Sequence, residues 1–348
     1  MNDIFPSRLK NARKMRGYSM RGLSEAMNGD ISPNAIKKYE NGEMFPSSSV
    51  VIKLASALNV KVDYLFSPFN IKIDMSNVKY RKRSSLSKKE SDAIDHIASY
   101  HLEKYIEVER MSGEDVVFSA SYPEMVIHNE NDARAVASRF RQDFDLGNDP
   151  ILNPIEMLES RGVKVIEVKA SAKFDGDSFT SGDIFVIILN EEAVSERKRL
   201  SLFHELGHKI MYFATDVDEE RLCNVFANEV LLPSEAFIKM IGRKRGDVSL
   251  EELKDIQKQY GISVEAMMMK LRQLGVISEN RYKTFCIKRN SNPEFKARVQ
   301  ESVFPDEKSC RFRRLVFKLL ASDEITESKC ASLLDTSVEE VRNCLMLV

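Results

Sequence analysis

Ser201-Leu202-Phe203-His204-Glu205-Leu206-Gly207-His208 is the most telling stretch of this 348-residue chain. On an α-helix, positions i and i+4 fall about 40° apart around the axis, so both imidazoles can grip one metal ion. Glu205 directly follows the first of them and is the candidate general base and proton donor for a metal-activated water. Leu202, Phe203, Leu206 and Ile210 give the same helix an apolar side to bury. Histidines four apart can also simply cap an exposed helix face, and a catalytic zinc needs a third protein ligand. The next helix offers Glu219, Glu220 and Glu229. Glu220 is favoured because Asn224, one turn later, can hold a ligating histidine from outside. A solvated run of acids is the plainer reading of Glu219 and Glu220.

Outward from this stretch, residues 163–168 and 183–190 alternate or run apolar as strands. Helices are expected over about 92–110, 130–144, 154–159, 195–212 and 218–232, the last stopped by Pro233. The remainder is helical, with breaks near Gly246, Gly261 and Gly275. The fold class is therefore mainly α with a small β-sheet (α+β). Met267-Met268-Met269 is expected as core filler. Residues 311–346 carry two helices around Asp335-Thr336-Ser337, capped by Thr326 and Ser337, with Ala331, Leu333, Leu334, Val338, Val341 and Leu345 as an apolar seam. The net charge of this end is close to zero, which favours a packing or oligomerising module over a second DNA reader.

A formal net charge of −1 hides a segregation. Residues 1–89 hold 17 Lys/Arg against 7 Asp/Glu, and residues 90–275 hold 22 against 35. A basic head on an acidic body suits a chain that meets a polyanion at one end. Five cysteines, with no Cys-x-x-Cys pair, suit reduced thiols in a cytosol. No apolar run approaches the roughly 18 residues of a membrane helix, and the first residues lack a signal-peptide pattern. A cytoplasmic protein without a membrane partner is expected.

The basic head divides into short helices. Ser19 and Ser32-Pro33 are start signals, and Asn41-Gly42 is a stop. Asn28-Gly29-Asp30 makes a tight turn between two of the helices, which is helix-turn-helix anatomy. The second helix presents Asn34, Lys37 and Lys38 away from Ile36 and Tyr39. Asn pairs with adenine, and Lys reaches guanine or phosphate.

Residues 5–66 resemble the Cro/CI-type (XRE) helix-turn-helix family in their five-helix pattern and in Ser32…Ile36…Glu40-Asn41-Gly42. The resemblance implies a double-stranded DNA operator as partner, bound as a homodimer. It places Pro33, Asn34, Ala35 and Lys37 at base-facing positions, with Met20 and Arg21 opening the supporting helix. The family often has Gln where Met20 stands.

Residues from about 95 to 275 resemble the ImmA/IrrE-type metallopeptidases. The likeness rests on residues 201–208 and on Glu220-Arg221-Leu222-Cys223-Asn224-Val225-Phe226-Ala227-Asn228-Glu229-Val230-Leu231-Leu232-Pro233. The strand ending at Asn190 and Gly147…Pro150-Ile151 fit as well. The resemblance implies Zn2+ held by His204, His208 and Glu220, with Glu205 activating water. It also implies cleavage of a helix-turn-helix repressor under stress or mobile-element induction. The strand carrying Ile184, Val186 and Ile188 would border the cleft and pair with an extended substrate. The family usually has Ala where Cys223 stands, so Cys223 is either a small buried hydrophobe or a thiol close enough to sense the metal.

The expected organisation is a DNA-binding domain at 1–68, a basic linker at 69–91, a metallopeptidase domain at 92–275 and a helical region at 276–348. The substrate would be a repressor, either this chain itself, cut within residues 80–89, or an adjacent-gene repressor. The rival expectation is a non-enzymatic regulator or antitoxin-like protein whose metal site is structural or vestigial.

Overall fold

The computed structural model describes residues 4–68 and 86–346, with seventeen α-helices and five strands among them. Of the linker expected at 69–91, residues 69–85 lie outside the described residues. The chain forms two compact units, one from residues 1–115 with 312–348 and the other from residues 116–311.

The first unit opens with α1 (Ile4–Met15), α2 (Met20–Ala26), α3 (Pro33–Glu40) and α4 (Ser48–Leu58). A 3-10 turn over Val62–Phe66 replaces the expected fifth α-helix. Ser19 and Ser32 cap α2 and α3 as their positions require, accepting hydrogen bonds from the Gly22 and Ala35 amides. The α2–α3 turn runs through left-handed backbone at Asn28 (φ 56°) and Gly29 (φ 79°), which asparagine and glycine adopt most readily. Leu9, Leu23, Ile36, Leu54, Leu58 and Leu65 fill a small core.

Next comes α5 (Lys88–Ser112), whose capping box between Ser87 and Glu90 starts it inside the stretch expected to be linker. It also belongs to the first unit, although the expected boundary at residue 92 would place it in the second. Arg8 of α1 makes a bidentate, buried salt bridge to Glu103 at 2.7 Å. Lys14 meets Asp92, and the Tyr64 and Tyr100 rings pack edge to face at 5.3 Å. Sequence reading misplaced α5 because its buried charged residues look like a solvated face when their partners lie far off in the chain.

The second unit contains β1 (Val126–Ile127), α6 (Glu130–Asp143), α7 (Pro154–Glu159), β2 (Lys164–Val168), β3 (Gly176–Ser181) and β4 (Ile184–Asn190). Then follow α8 (Ser195–Ile210), β5 (Tyr212–Phe213), α9 (Glu219–Leu231), α10 (Ser234–Ile241), α11 (Leu250–Tyr260), α12 (Val264–Gln273), α13 (Glu279–Ser291) and α14 (Pro293–Gln300). Strands β1 and β5 form a parallel pair. The three-stranded sheet has the order β2-β4-β3, with β2 parallel and β3 antiparallel to β4. One core joins the inner side chains of β4, α6, α8 and α9 with those of α11 and α12, where Met267 and Met268 are buried. The first half of α8 is anchored by ions, since fully buried Lys198 and Arg199 pair with Glu167 and Glu307 at 2.8 and 2.9 Å. Burial pushes the Glu307 carboxyl up to about 7, against the opposing pull of Arg199.

The chain returns to the first unit with α15 (Arg311–Ala321), α16 (Glu327–Leu333) and α17 (Val338–Leu345). Thr326 and Ser337 cap α16 and α17. Buried Ala331, Leu333 and Val341 share a core with Val108 of α5, whereas Leu345 stays 43% exposed. The expected division at residue 275 thus gives way to one near residue 311, because α13 and α14 pack on the second unit.

Candidate metal centre

Gly207 lies where α8 packs tightly against α9. A Cβ there would stand 3.0 Å from the Phe226 ring, 3.1 Å from Met211 and 3.4 Å from Cys223 Sγ. The glycine lets α9 approach the helix face that carries both histidines. His204 and His208 then meet Glu220 from the first turn of α9, and one donor atom from each lies within 4.8 Å of the others. The two Nε2 atoms are 3.0 Å apart. Glu220 Oε2 is 3.2 Å from His204 Nε2, and Oε1 is 3.4 Å from His208 Nε2.

Donor chemistry and spacing fit zinc. A tetrahedral zinc with nitrogen and oxygen ligands about 2.0–2.1 Å away sets its donor atoms roughly 3.3–3.4 Å apart. Two imidazoles and a carboxylate at 3.0–3.4 Å match that spacing closely. Of the other acids on α9, Glu229 is committed elsewhere, held by buried Lys270 at 2.6 Å and by Ser234. Burial pushes the Lys270 ammonium down to about 8, and Glu229 opposes that shift.

The outer face of each imidazole is also held. Asn224 Oδ1 lies 3.2 Å from His204 Nδ1, and the Asn224 side-chain amide donates to the Glu220 carbonyl at 2.9 Å. Cys223 Sγ lies 2.8 Å from His208 Nδ1 and is fully buried. Residues 223 and 224 thus engage both Nδ1 atoms and turn both Nε2 atoms toward Glu220. The thiol lies at the Nδ1 edge of the ring, opposite the Nε2 atom that faces His204 and Glu220.

Glu205 is 8% exposed, and its Oε2 accepts a 2.6 Å hydrogen bond from Ser178 Oγ–H on β3. Sequence reading missed β3 entirely, because Gly176-Asp177-Ser178-Phe179-Thr180-Ser181 lacks the apolar run that marks a strand. Its signal is weaker: Asp177 and Phe179 are buried while Ser178 and Thr180 lie on the other face.

The structure overturns the expected substrate strand. Ile184, Val186 and Ile188 lie on β4, the central strand, which pairs with β3 from Ile184 and with β2 from Val186 onward. Val186 and Ile188 are completely buried. A strand with both edges paired has no backbone groups left for a peptide. The edge of the sheet next to Glu205 is β3.

In the first unit, Asn34, Lys37 and Lys38 of α3 and Arg21 of α2 are exposed, whereas Ile36 and Tyr39 are buried. Pro33, Ala35 and Met20 are half-buried, with Ala35 and Met20 packed against the small core. No helix among the described residues is long and apolar enough to cross a membrane.

A capped helix-turn-helix unit and a unit with a His-His-Glu cluster on paired helices together define a DNA-binding regulator fused to a metallopeptidase-like domain. Comparison with known proteins bears this out. The Helix-turn-helix family model matches residues 9–65, and the peptidase M78 model, described as IrrE N-terminal-like domain, matches residues 158–272. The chain is also 30% identical over 66 residues to an uncharacterized HTH-type transcriptional regulator, YazB, of Bacillus subtilis (strain 168). That match covers 19% of this chain and 93% of the relative. The chain belongs to the helix-turn-helix regulator family and carries an IrrE-type peptidase domain behind its DNA reader.

Proposed function

We propose that this chain is a transcriptional regulator whose second unit is a zinc-dependent endopeptidase. It would cleave a repressor, itself or an adjacent-gene product, to relieve repression under stress or mobile-element induction. The observation that carries this is the 3.0–3.4 Å convergence of His204, His208 and Glu220 beside a glutamate held by Ser178. Zinc held by those three would supply Lewis acidity, polarising a peptide carbonyl and acidifying water at neutral pH. Glu205, with Oε2 fixed by Ser178, takes the proton from the attacking water and passes it to the leaving peptide nitrogen. An extended substrate would add to β3, which brings its backbone alongside Ser178 and Glu205. Asn34, Lys37 and Lys38 would read the operator, with the protein acting as a cytoplasmic homodimer.

The test compares zinc-stripped with zinc-restored full-length protein, incubated with itself and with repressors encoded beside it. Cleavage that appears only after zinc is restored supports this function. Stoichiometric zinc with every candidate left intact overturns it in favour of a regulator whose metal site is structural.

Cys223 bears on the same centre. For Nε2 of His208 to bind metal, the neutral ring must carry its proton on Nδ1, where Cys223 Sγ accepts it. Cys223→Ala removes that acceptor and should weaken zinc binding about tenfold or more. Cys223→Ser, which can still accept the bond, should retain most of the affinity. Chelator competition measures both, with circular dichroism as the check on folding. Equal zinc affinity in Cys223→Ala and wild type would reduce the thiol to a packing group.

A further inference from the structure

The first unit holds a cavity of about 780 Å3, well within the range of small-molecule sites. Its walls come from α1, α4 and the 3-10 turn of the DNA-reading module, and from α5 and the α16 end. None of the DNA-facing positions Met20, Arg21, Pro33, Asn34, Ala35, Lys37 or Lys38 lines it.

Five cations and three carboxylates do line it, and most of them cancel. Arg8 pairs with Glu103, Lys104 with Asp335 and Lys329 with Glu107, at 2.7, 2.7 and 2.5 Å. Arg16 and Lys61 remain. Arg16 Nε donates to the Leu58 carbonyl at 2.7 Å, and Lys61 Nζ donates to the Ala331 and Thr336 carbonyls at 3.1 and 3.0 Å. Carbonyl oxygens satisfy hydrogen bonds without neutralising charge, so the wall keeps two positive charges that no lining carboxylate offsets.

Both residues border the cavity, Arg16 at the end of α4 and Lys61 with its Nζ at the Ala331 and Thr336 carbonyls. The Arg16 bond to Leu58 places its guanidinium beside the end of α4, within a few residues of Ser56, Asn59 and Lys61. The two Nη groups of Arg16 stay available among the described residues, and they form the fork that grips anion oxygens two at a time. The Ser56 hydroxyl and the Asn59 amide likewise have no hydrogen-bond partner among the described residues, and neither has the His101 imidazole on α5. Burial and nearby Lys104 push His101 down to about 4, so at neutral pH its ring offers one donor and one acceptor.

We propose that this cavity binds a small organic phosphate, with its phosphate group held by Arg16, Lys61, Ser56 and Asn59 and its organic part in the space toward His101. A phosphate monoester carries about −1.5 to −2 charge at neutral pH, which matches the two cations of this wall that no lining carboxylate offsets. A ligand bound there touches α1 and α4 without covering the recognition face.

Calorimetry on the full-length protein at constant ionic strength tests this, with inorganic phosphate as the probe and succinate as the comparison. Phosphate should bind saturably, and succinate more weakly. Arg16→Gln and Lys61→Gln, both at exposed positions, should each weaken phosphate about tenfold, or about 1.4 kcal/mol. The Lys37→Gln/Lys38→Gln double variant on α3 should leave phosphate binding unchanged. Non-saturable binding, or equal losses in the α3 variant, would overturn the site. So would succinate binding as tightly as phosphate. If Arg16→Gln and Lys61→Gln instead reduce duplex-DNA affinity while phosphate fails to saturate, these cations contact the DNA backbone and the small-ligand site is refuted.

Discussion

Glu205→Gln should leave the metal centre assembled and stop the chemistry. The amide keeps the size of the carboxylate and can still accept from Ser178 Oγ–H, which lies 2.6 Å from Oε2 in the native protein. It cannot take a proton from water at neutral pH. General-base assistance is worth roughly 10²–10⁴-fold, so repressor cleavage should fall by about 10³-fold, close to 4 kcal/mol of barrier. Zinc content should not change, because His204, His208 and Glu220 and their supports Asn224 and Cys223 are untouched. His204→Ala is the complementary control and should lose both zinc and activity. Wild-type cleavage by Glu205→Gln would remove Glu205 from the mechanism. Loss of zinc in Glu205→Gln would mean that the residue builds the site rather than acting in it.

Glu103→Ala should destabilise the DNA-reading unit by about 3–5 kcal/mol, the usual cost of stranding one member of a buried ion pair. The Arg8 and Glu103 side chains are only 4% and 10% exposed, and both guanidinium Nη groups bond the carboxylate at 2.7 Å. Arg8 also donates to the carbonyls of Ser67 and Pro68 and lies over the Tyr64 ring, neutral contacts that do not replace the Glu103 charge. A few kcal/mol is a large share of the stability of a small domain. The midpoint of thermal unfolding should therefore drop markedly, and DNA affinity should fall with it at temperatures near the transition. Replacing both partners, Arg8→Met with Glu103→Leu, should recover most of the loss. A midpoint within a degree or two of wild type for Glu103→Ala would show that the pair is strained or solvated. The same pair predicts that residues 1–68 alone, cut from α5, are less stable than the intact unit.

What could be read from sequence was chemistry held within a few residues. His204, Glu205 and His208 share one turn of helix, Glu220, Cys223 and Asn224 share the next, and Ser19, Ser32 and Ser337 cap the helices they precede. Pairings between distant residues stayed hidden. Glu103 is one of many acids of residues 90–275, and nothing near it in sequence marks the pairing with Arg8, 95 residues earlier. Strand β3 was missed because an edge strand facing a polar site carries Ser178 and Thr180 where apolar residues would have announced it. The substrate strand was implied by the family resemblance, and the apolar run of β4 carries no sign of a free edge. It reflects burial at the centre of the sheet, where both faces are covered.

Besides the chain that continues after Pro68, the DNA-reading helices are joined to the rest of their unit by packing on α5 and by Lys61, which donates to the Ala331 and Thr336 carbonyls. Hydrolysis of a peptide bond between residues 68 and 86 would cut the chain connection and leave these described contacts in place. The nicked protein would behave as a two-chain complex, held by Arg8 with Glu103, Lys14 with Asp92 and the Tyr64–Tyr100 contact. Its fragments would part at a rate set by that interface, not by the protease. Were this chain its own substrate, derepression would lag behind cleavage, and the length of the lag would be tuned by α1 and α5 rather than by the metal centre.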